Sequence, residues 1–444
     1  MIKKSAIITI IFIFNAFIQL INQIAVTRIF GAQISLEIFL AAVALPTTIV
    51  STIYSTLNDA FLPLYGEKRA KNKELADKYF LANLLFLIFI SFVITLIMVF
   101  FSKQISFTLY KGRGWTFVNS VALQMSYMFF SLPLAVCATL FGTYYYTHKK
   151  FIRFPLAQAV GNLTNFFLIL LLSPFMGVWA LVFAFVVNIF FQILLVLPSF
   201  KHFEFNLPKF KRLEIRNLLT AWIPLIVGYS TFRSEAIMIR SLAAHLPTGY
   251  MVYLNLITKI FTLATGVMTI GIQILLLPHL VEYFENKHLR LKGIALVNKA
   301  KIVAVGVSVV VAVSVILIAP IIVNLLFIGG KFSKQDAMIT NSLFPLFLIP
   351  SIGWGTYGVF FQPLLALKKQ LPLAIICLTS LVLGWGIGNL ISDYFGPLVG
   401  ISCGLIILLF TGIIGSEILW QYYKKKTLVT LAPPSLSPPI IGQT

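Results

Sequence analysis

Long apolar runs separated by short basic connections dominate the chain. Each run is about 20 residues long, which is enough for a helix to cross the hydrocarbon core of a bilayer. The first run follows Lys3 and Lys4; it is too long for a signal peptide and lacks a small-residue cleavage site, so we expect a retained helix. The runs predict twelve transmembrane helices, near 5–27, 38–62, 78–101, 117–145, 155–174, 177–198, 218–243, 250–282, 302–327, 341–365, 371–391 and 397–422.

Composition supports a membrane protein. Hydrophobic residues make up 59% of the 444 positions, and charged residues only 11%. A soluble domain usually carries about 25% charged residues, so this chain has too little charge to cover a water-exposed surface. The sequence therefore predicts an all-α polytopic membrane protein.

The net charge of +21 follows the membrane topology. If the N-terminus is cytoplasmic, most of the 34 Lys and Arg residues fall in connections on the cytoplasmic side, and few fall in the opposite ones. This is the positive-inside rule, and it predicts a multi-pass protein of the bacterial inner membrane with both termini cytoplasmic. Topology explains the basicity, so no nucleic-acid partner is expected.

The chain contains two similar halves. His148-Lys149-Lys150 is echoed by Leu367-Lys368-Lys369, and the segment ending at Gly177 is echoed by the segment ending at Gly396. Matching pairs lie about 215 to 220 residues apart, as expected for an internal repeat. Six helices per half give both halves one orientation, as in parallel-repeat transporters with a central cavity. The predicted organisation is an N-lobe at 1–198, a basic cytoplasmic linker at 199–217, a C-lobe at 218–426 and a disordered proline-rich tail at 427–444.

Polar residues recur at helical spacing within three of the predicted helices. Helix–helix hydrogen bonding explains single Ser and Thr residues, whereas a whole stripe containing Lys259 favours a cavity. The predicted cavity-lining residues are Asn22, Ser51, Ser55, Asp59, Asn255, Thr262 and Thr269.

Four cations lie at or within the membrane boundary: Arg28, Arg233, Arg240 and Lys259. Buried cations favour an anionic ligand, and arginine matches a phosphate group through bidentate hydrogen bonds. An interfacial anchoring role for Arg28 or Arg240, and internal pairing of Arg233 with Glu235, are the alternatives.

The residue types that chemistry or metal binding would need are scattered. The five His and three Cys residues show no metal-ligand spacing, and no loop is long enough for a catalytic domain. This pattern argues against a membrane enzyme such as a polyprenyl-sugar transferase. We expect no metal, no cofactor and no catalytic residues.

Several short motifs resemble the MurJ/MviN-type lipid II flippases, which belong to the multidrug, oligosaccharidyl-lipid and polysaccharide exporter superfamily. The motifs are Arg28-Ile-Phe-Gly31-Ala with Glu37, Asp59-Ala-Phe-Leu-Pro63, Ile239-Arg240-Ser-Leu-Ala243 and Gly329-Gly330-Lys331-Phe332-Ser333. The resemblance implies a flippase that moves an undecaprenyl-diphosphate-linked sugar, lipid II or a related one, between leaflets by alternating access. It also implies a substrate site at Arg28, Glu37, Arg240 and Lys259, to which the charge pattern adds Arg233.

The chain departs from the family pattern at several positions. Lys259 stands where the family has Arg, Glu37 where it has Asp, and Ile239 where it has an acid. The family's arginine pair on helix 2 is absent. The sequence predicts twelve helices, whereas the family usually has fourteen. A cation-coupled multidrug exporter of the same superfamily and an O-antigen or exopolysaccharide unit flippase are the alternative functions. The energy source is either a coupling cation (Na⁺ or H⁺) or the membrane potential, and the sequence leaves this choice open. We expect a monomer that contacts membrane lipids.

Overall fold

The computed structural model describes residues 2–198 and 212–429, and these residues form sixteen α-helices. The first half contains α1 (Ile2–Phe30), α2 (Ile34–Lys71), α3 (Lys73–Phe100), α4 (Ser102–Tyr110), α5 (Trp115–Phe129), α6 (Ser131–Thr147), α7 (Arg153–Met176) and α8 (Trp179–Val196). The second half contains α9 (Arg212–Arg233), α10 (Glu235–Ala243), α11 (Tyr250–Glu285), α12 (Arg290–Ile322), α13 (Lys334–Leu343), α14 (Leu348–Ala366), α15 (Gln370–Phe395) and α16 (Pro397–Val429).

Ten helices or helix pairs in the described part of the chain are long and apolar enough to cross a membrane. The α9–α10 pair and α11 are not among the ten, but they pack against α2 and α15 and against α12 and α14. With these two, each half has six spans, and the predicted all-α class with two six-helix repeats is confirmed. Large apolar side chains such as Phe89, Leu171 and Ile302 are exposed on α3, α7 and α12, as expected of surfaces that face lipid.

The two halves share unusual backbone turns. Lys149 and Lys368 have φ angles of 59° and 58°, which are rare for a residue with a side chain. Each follows a helix end with the same pair of hydrogen bonds: the N–H groups of Lys149 and Lys150 donate to residues 146 and 145, and those of Lys368 and Lys369 to residues 365 and 364. Both are Schellman caps, so the repeat extends to the backbone of these turns.

Three spans that the sequence predicts as continuous are broken. The helix predicted at 117–145 divides at Phe130, and the one at 218–243 divides at Ser234. The helix predicted at 341–365 is interrupted by a 3₁₀ turn at Phe344–Phe347. Pro133 and Pro345 lie at two of these breaks, where a missing N–H and the proline ring oppose a continuous α-helix.

The helix boundaries in the structure differ in part from the predicted bounds of the linker and the C-lobe. Helix α9 begins at Arg212, so residues 212–217 of the predicted linker are helical, and α16 continues to Val429, past the predicted end of the C-lobe. The rest of the linker, and the tail from residue 430 onward, lie outside the described residues. The two halves together form one cavity, which is lined by Asn188 of α8 and by Arg240 of α10.

Candidate functional site

A cavity of about 460 Å³ lies between the two halves. Helices α1, α2, α7 and α8 form its wall on one side, and α10 and α11 contribute from the other half. The polar residues that line it are Asn15, Gln19, Asn22, Gln23, Thr47, Ser51, Tyr54, Gln158, Asn162, Asn165, Asn188, Gln192, Arg240, Asn255 and Lys259. Polar groups facing a cavity inside a membrane protein mark a ligand pathway.

The charged groups of this cavity are cationic. Arg240 projects from α10 and donates from Nη2 to Oδ1 of Asn255 at 2.9 Å, and Lys259 follows Asn255 by one helical turn on α11. Within the described residues neither cation has an acidic partner, and no Asp or Glu lines the cavity. Two half-buried cations without acidic partners provide a binding place for an anion.

The structure brings five of the predicted residues together. Asn22, Ser51, Arg240, Asn255 and Lys259 all line the same cavity. They come from α1, α2, α10 and α11, so the site depends on the packing of both halves.

Two predicted residues pair with each other outside the main cavity. Nη2 of Arg233 donates to Oγ of Ser55 at 2.9 Å, which joins α9 to α2. Arg233 lines a separate cavity of about 150 Å³ between α9, α14 and α15. Asp59 lies one turn beyond Ser55 on α2 and is exposed. Among the described groups Arg233 has no ion pair with Glu235, whose carboxylate accepts a hydrogen bond from the Trp354 indole instead.

Glu37 and Arg28 lie at the end of the molecule that carries the α1–α2 connection, here called the Gly31 end. The Glu37 side chain is fully buried, and its Oε1 accepts from the N–H groups of Gly249 and Met251 at 2.8 and 3.1 Å. Its Oε2 lies 3.0 Å from Nη2 of Arg113. The Arg28 carbonyl accepts from the Lys331 N–H at 2.8 Å, and Arg28 itself is exposed. These contacts join the halves rather than line the cavity.

The threonines of α11 behave as ordinary helix residues. The hydroxyl of Thr262 donates to the carbonyl of Thr258 at 2.7 Å, one turn earlier in the same helix. Such bonds satisfy the hydroxyl locally and need no ligand. Thr269 lies outside the residues whose side chains the structure describes.

The sequence reasoning missed the carboxamides of two further helices. Gln158, Asn162 and Asn165 lie on one face of α7, and Asn188 and Gln192 on one face of α8. Their spacing of three and four residues in otherwise apolar runs is the same signal that α1 shows.

In the part of the chain that the structure covers, no three His, Cys, Asp or Glu residues are placed to hold a metal ion.

Twelve spans in two parallel bundles, with a polar cavity between them, define a transporter of the alternating-access type. Solved structures of this class show the same fold. One described as "Lipid II flippase MurJ, inward closed conformation" matches with a TM-score of 0.77 and 16% identity, covering 96% of this chain and 91% of the other. An inward-facing multidrug resistance MATE family transporter of the MOP superfamily matches with a TM-score of 0.74 and 13% identity, covering 94% and 95%.

Sequence comparison narrows the class to a family. The chain is 24% identical over 372 residues to the probable lipid II flippase MurJ of Borreliella burgdorferi, covering 81% of this chain and 72% of that protein. It is 28% identical over 181 residues to the Helicobacter pylori counterpart, covering 41% and 39%. The family model described as "Lipid II flippase MurJ" matches residues 26–434. The chain belongs to the lipid II flippase MurJ family.

Proposed function

We propose that this chain moves an undecaprenyl-diphosphate-linked sugar, lipid II or a close relative, from the inner to the outer leaflet of the bacterial inner membrane. The observation that carries the proposal is the cavity with Arg240 and Lys259 between the two halves. A diphosphate needs cations held away from bulk water, and these two have no acidic partner among the described residues. The lipid tail stays in the bilayer while the headgroup crosses through the cavity.

The conformation supports loading from the cytoplasmic side. At the Gly31 end, Glu37, Arg113 and the 247–251 backbone hold the halves together. The distribution of basic residues assigns this end to the outside. A transporter closed at this end cannot release a substrate to the outside, which fits a step of alternating access before outward opening, with both termini cytoplasmic. One chain supplies both walls of the cavity, so a monomer is sufficient.

The membrane potential is the proposed energy source. The free energy of an anionic headgroup falls by about 2.3 kcal/mol per unit charge and per 100 mV when it moves outward across an inside-negative membrane. A second candidate is a coupling cation, Na⁺ or H⁺, at exposed acids such as Asp59 or Glu282. In proteoliposomes, transport that follows a potassium-diffusion potential without Na⁺ or pH gradients supports the first; strict dependence on either gradient supports the second.

A multidrug exporter of cationic compounds is the less favoured function. Such a substrate calls for acids in the cavity, and the acids of the described chain lie elsewhere. An O-antigen or exopolysaccharide unit flippase uses the same diphosphate chemistry, and the choice of sugar decides between it and a lipid II flippase.

Complementation tests the proposal. The chain is expressed in bacteria depleted of their own lipid II flippase, with Arg240→Ala and Lys259→Ala variants at equal levels. Loss of one charge-assisted hydrogen bond lowers affinity about 10- to 100-fold, so we expect rescue by the parent and not by Arg240→Ala or Lys259→Ala. Lys259→Arg keeps the charge and should rescue.

Lys103→Ala is the matched control, because Lys103 is an exposed cation outside the cavity. A parent that is well expressed and does not rescue argues for another lipid-linked sugar. Rescue by Arg240→Ala and Lys259→Ala alike contradicts the proposed diphosphate site.

A further inference from the structure

The two walls of the cavity have different chemistry. The wall from the second half carries Arg240 and Lys259, whereas the wall from α1, α7 and α8 is rich in carboxamides and carries no charge. A ligand that fills both walls is anionic at one end and neutral and rich in hydroxyl or amide groups at the other.

Part of the carboxamide wall is built by hydrogen bonds between helices. Nδ2 of Asn22 donates to Oδ1 of Asn165 at 2.8 Å, and Nδ2 of Asn162 donates to Oδ1 of Asn15 at 2.7 Å. On α8, Gln192 donates to Asn188 at 2.7 Å. Pairs of this kind are common where membrane helices pack, so they account for some of the amides without a ligand.

Helix packing leaves other amide groups unused. Each carboxamide offers two N–H donors and an oxygen with two acceptor positions. Oδ1 of Asn22 is buried and has no hydrogen-bond partner, and within the described chain no side-chain hydrogen bond is found for Gln19 or Gln158. The buried Asn22 oxygen is costly to leave unpaired, because it has lost its hydrogen bonds to water, whereas the half-buried amides of Gln19 and Gln158 can bond a ligand in place of water. These unused groups face the same space as the cations.

The walls are also continuous. Arg240 bonds Asn255, and Nδ2 of Asn255 lies 3.5 Å from Oε1 of Gln23 on α1. Gly161 permits the close approach of α7 and α8 on the far side, because a Cβ there would lie 2.6 Å from Cγ of Gln192. The carboxamides therefore begin beside the cations and extend away from them.

We infer that the carboxamide wall of α1, α7 and α8 is a carbohydrate subsite. It binds the hydroxyl and N-acetyl groups of the sugar nearest the diphosphate, because carboxamides both donate to and accept from such groups. This inference rests on the proposed function and adds to it the residues that distinguish a glycosylated carrier from a bare one. Gln19 and Gln158 are its specificity-determining residues.

The test compares two probes on the purified full-length chain: undecaprenyl diphosphate, which has no sugar, and lipid II. The Gln19→Leu/Gln158→Leu variant is suited to this test because no described contact depends on either amide. We expect its affinity for lipid II to fall about tenfold, since two hydrogen bonds are lost, and its affinity for undecaprenyl diphosphate to stay within about twofold. Asn389→Leu, an exposed amide on α15 that bonds its own helix, should change neither.

Three other outcomes contradict the inference and are distinguishable. Unchanged binding of both probes by the double variant, with loss of both in Lys259→Ala, removes the carbohydrate subsite and leaves the proposed function in place. Equal loss of both probes assigns Gln19 and Gln158 to structure rather than sugar recognition. Failure of the parent chain to bind either probe overturns the proposed function, and the subsite with it.

Discussion

Residues whose charge is buried carry the sharpest consequences in this molecule. Lys301 of α12 pairs with Glu417 of α16, and its ammonium also lies 4.9 Å from the Phe360 ring centroid. The Lys301 side chain is 9% exposed and that of Glu417 is 31% exposed. The cation is therefore the more completely desolvated partner, and removing the acid leaves it without compensation.

We expect Glu417→Leu to lower the melting temperature of the purified protein more than Lys301→Met does. Breaking a buried pair from one side costs about 3–5 kcal/mol, whereas replacing both partners by apolar residues is often nearly neutral. The double variant Lys301→Met/Glu417→Leu should therefore recover most of the loss. Thermal unfolding in detergent, monitored by tryptophan fluorescence, ranks the melting temperatures of these variants.

The exposed pair Lys71–Glu67 is the control, with side chains 73% and 67% exposed. Substitution there should change stability by about 0.5 kcal/mol or less. A double variant no more stable than Glu417→Leu would contradict the role given to the unpaired cation.

At the scale of elements, the close contact between the end of α1 and the 328–333 loop depends on glycine. Gly330 has a φ of 58°, and a Cβ at this position would lie 2.2 Å from the Arg28 carbonyl oxygen. Gly177, between α7 and α8, has a φ of 55° but has open space around the same position. The two glycines have similar positive φ angles and differ in what surrounds them.

We expect Gly330→Ala to destabilise the protein more than Gly177→Ala. Both substitutions place alanine at a positive φ, which costs about 1–3 kcal/mol. Only Gly330→Ala also forces α1 away from the 328–333 loop, which should add about 1–3 kcal/mol. Melting temperatures of the two variants test this difference, and equal losses would show that the contact at Arg28 contributes little.

At the scale of the whole molecule, the halves are joined at the Gly31 end through one buried carboxylate. Glu37 of the first half binds the Gly249 and Met251 N–H groups of the second, and Arg113 links Glu37 to Thr248 and Pro247. A group that binds only in one conformation shifts the equilibrium between conformations by its differential free energy.

We expect Glu37→Gln to shift the protein toward the conformation that is open at the Gly31 end. Gln keeps an acceptor for the two N–H groups but loses the charge that strengthens those bonds between the halves and that holds Arg113 against Thr248 and Pro247, so the shift should be about tenfold, or about 1.4 kcal/mol. Spin labels at Lys111→Cys and Lys334→Cys, both exposed, should report a longer distance, and labels at Lys149→Cys and Lys368→Cys a shorter one.

Glu67→Gln is the control for this measurement, because it also neutralises an acid but lies in the exposed pair with Lys71. It should leave both distance distributions unchanged. Unchanged distributions in Glu37→Gln as well would mean that the charge of Glu37 does not hold the halves together.

The sequence by itself determined the class, the repeat and two of the key cations. The length of an apolar run is a local property, so the spans could be found without tertiary contacts, and the duplicated Lys149 and Lys368 turns could be found from matching residues. The break at Phe130 was missed because hydrophobicity continues across it. The break at Ser234 was missed because the apolar runs on its two sides were joined into one span, although Arg233 and Glu235 flank it. Arg240 and Lys259 could be singled out, because a charge within an apolar run is conspicuous.

Only the tertiary structure decided which polar groups face one another. The Asn22–Asn165 bond joins residues 143 positions apart, and Glu37 meets Gly249 across 212 positions. Spacing along one helix defines a face but not the partner of that face, since partners are set by how whole helices pack. For that reason the cavity cations and the polar face of α1 were visible in the sequence, whereas only the folded molecule showed that the amides of α7 and α8 face them.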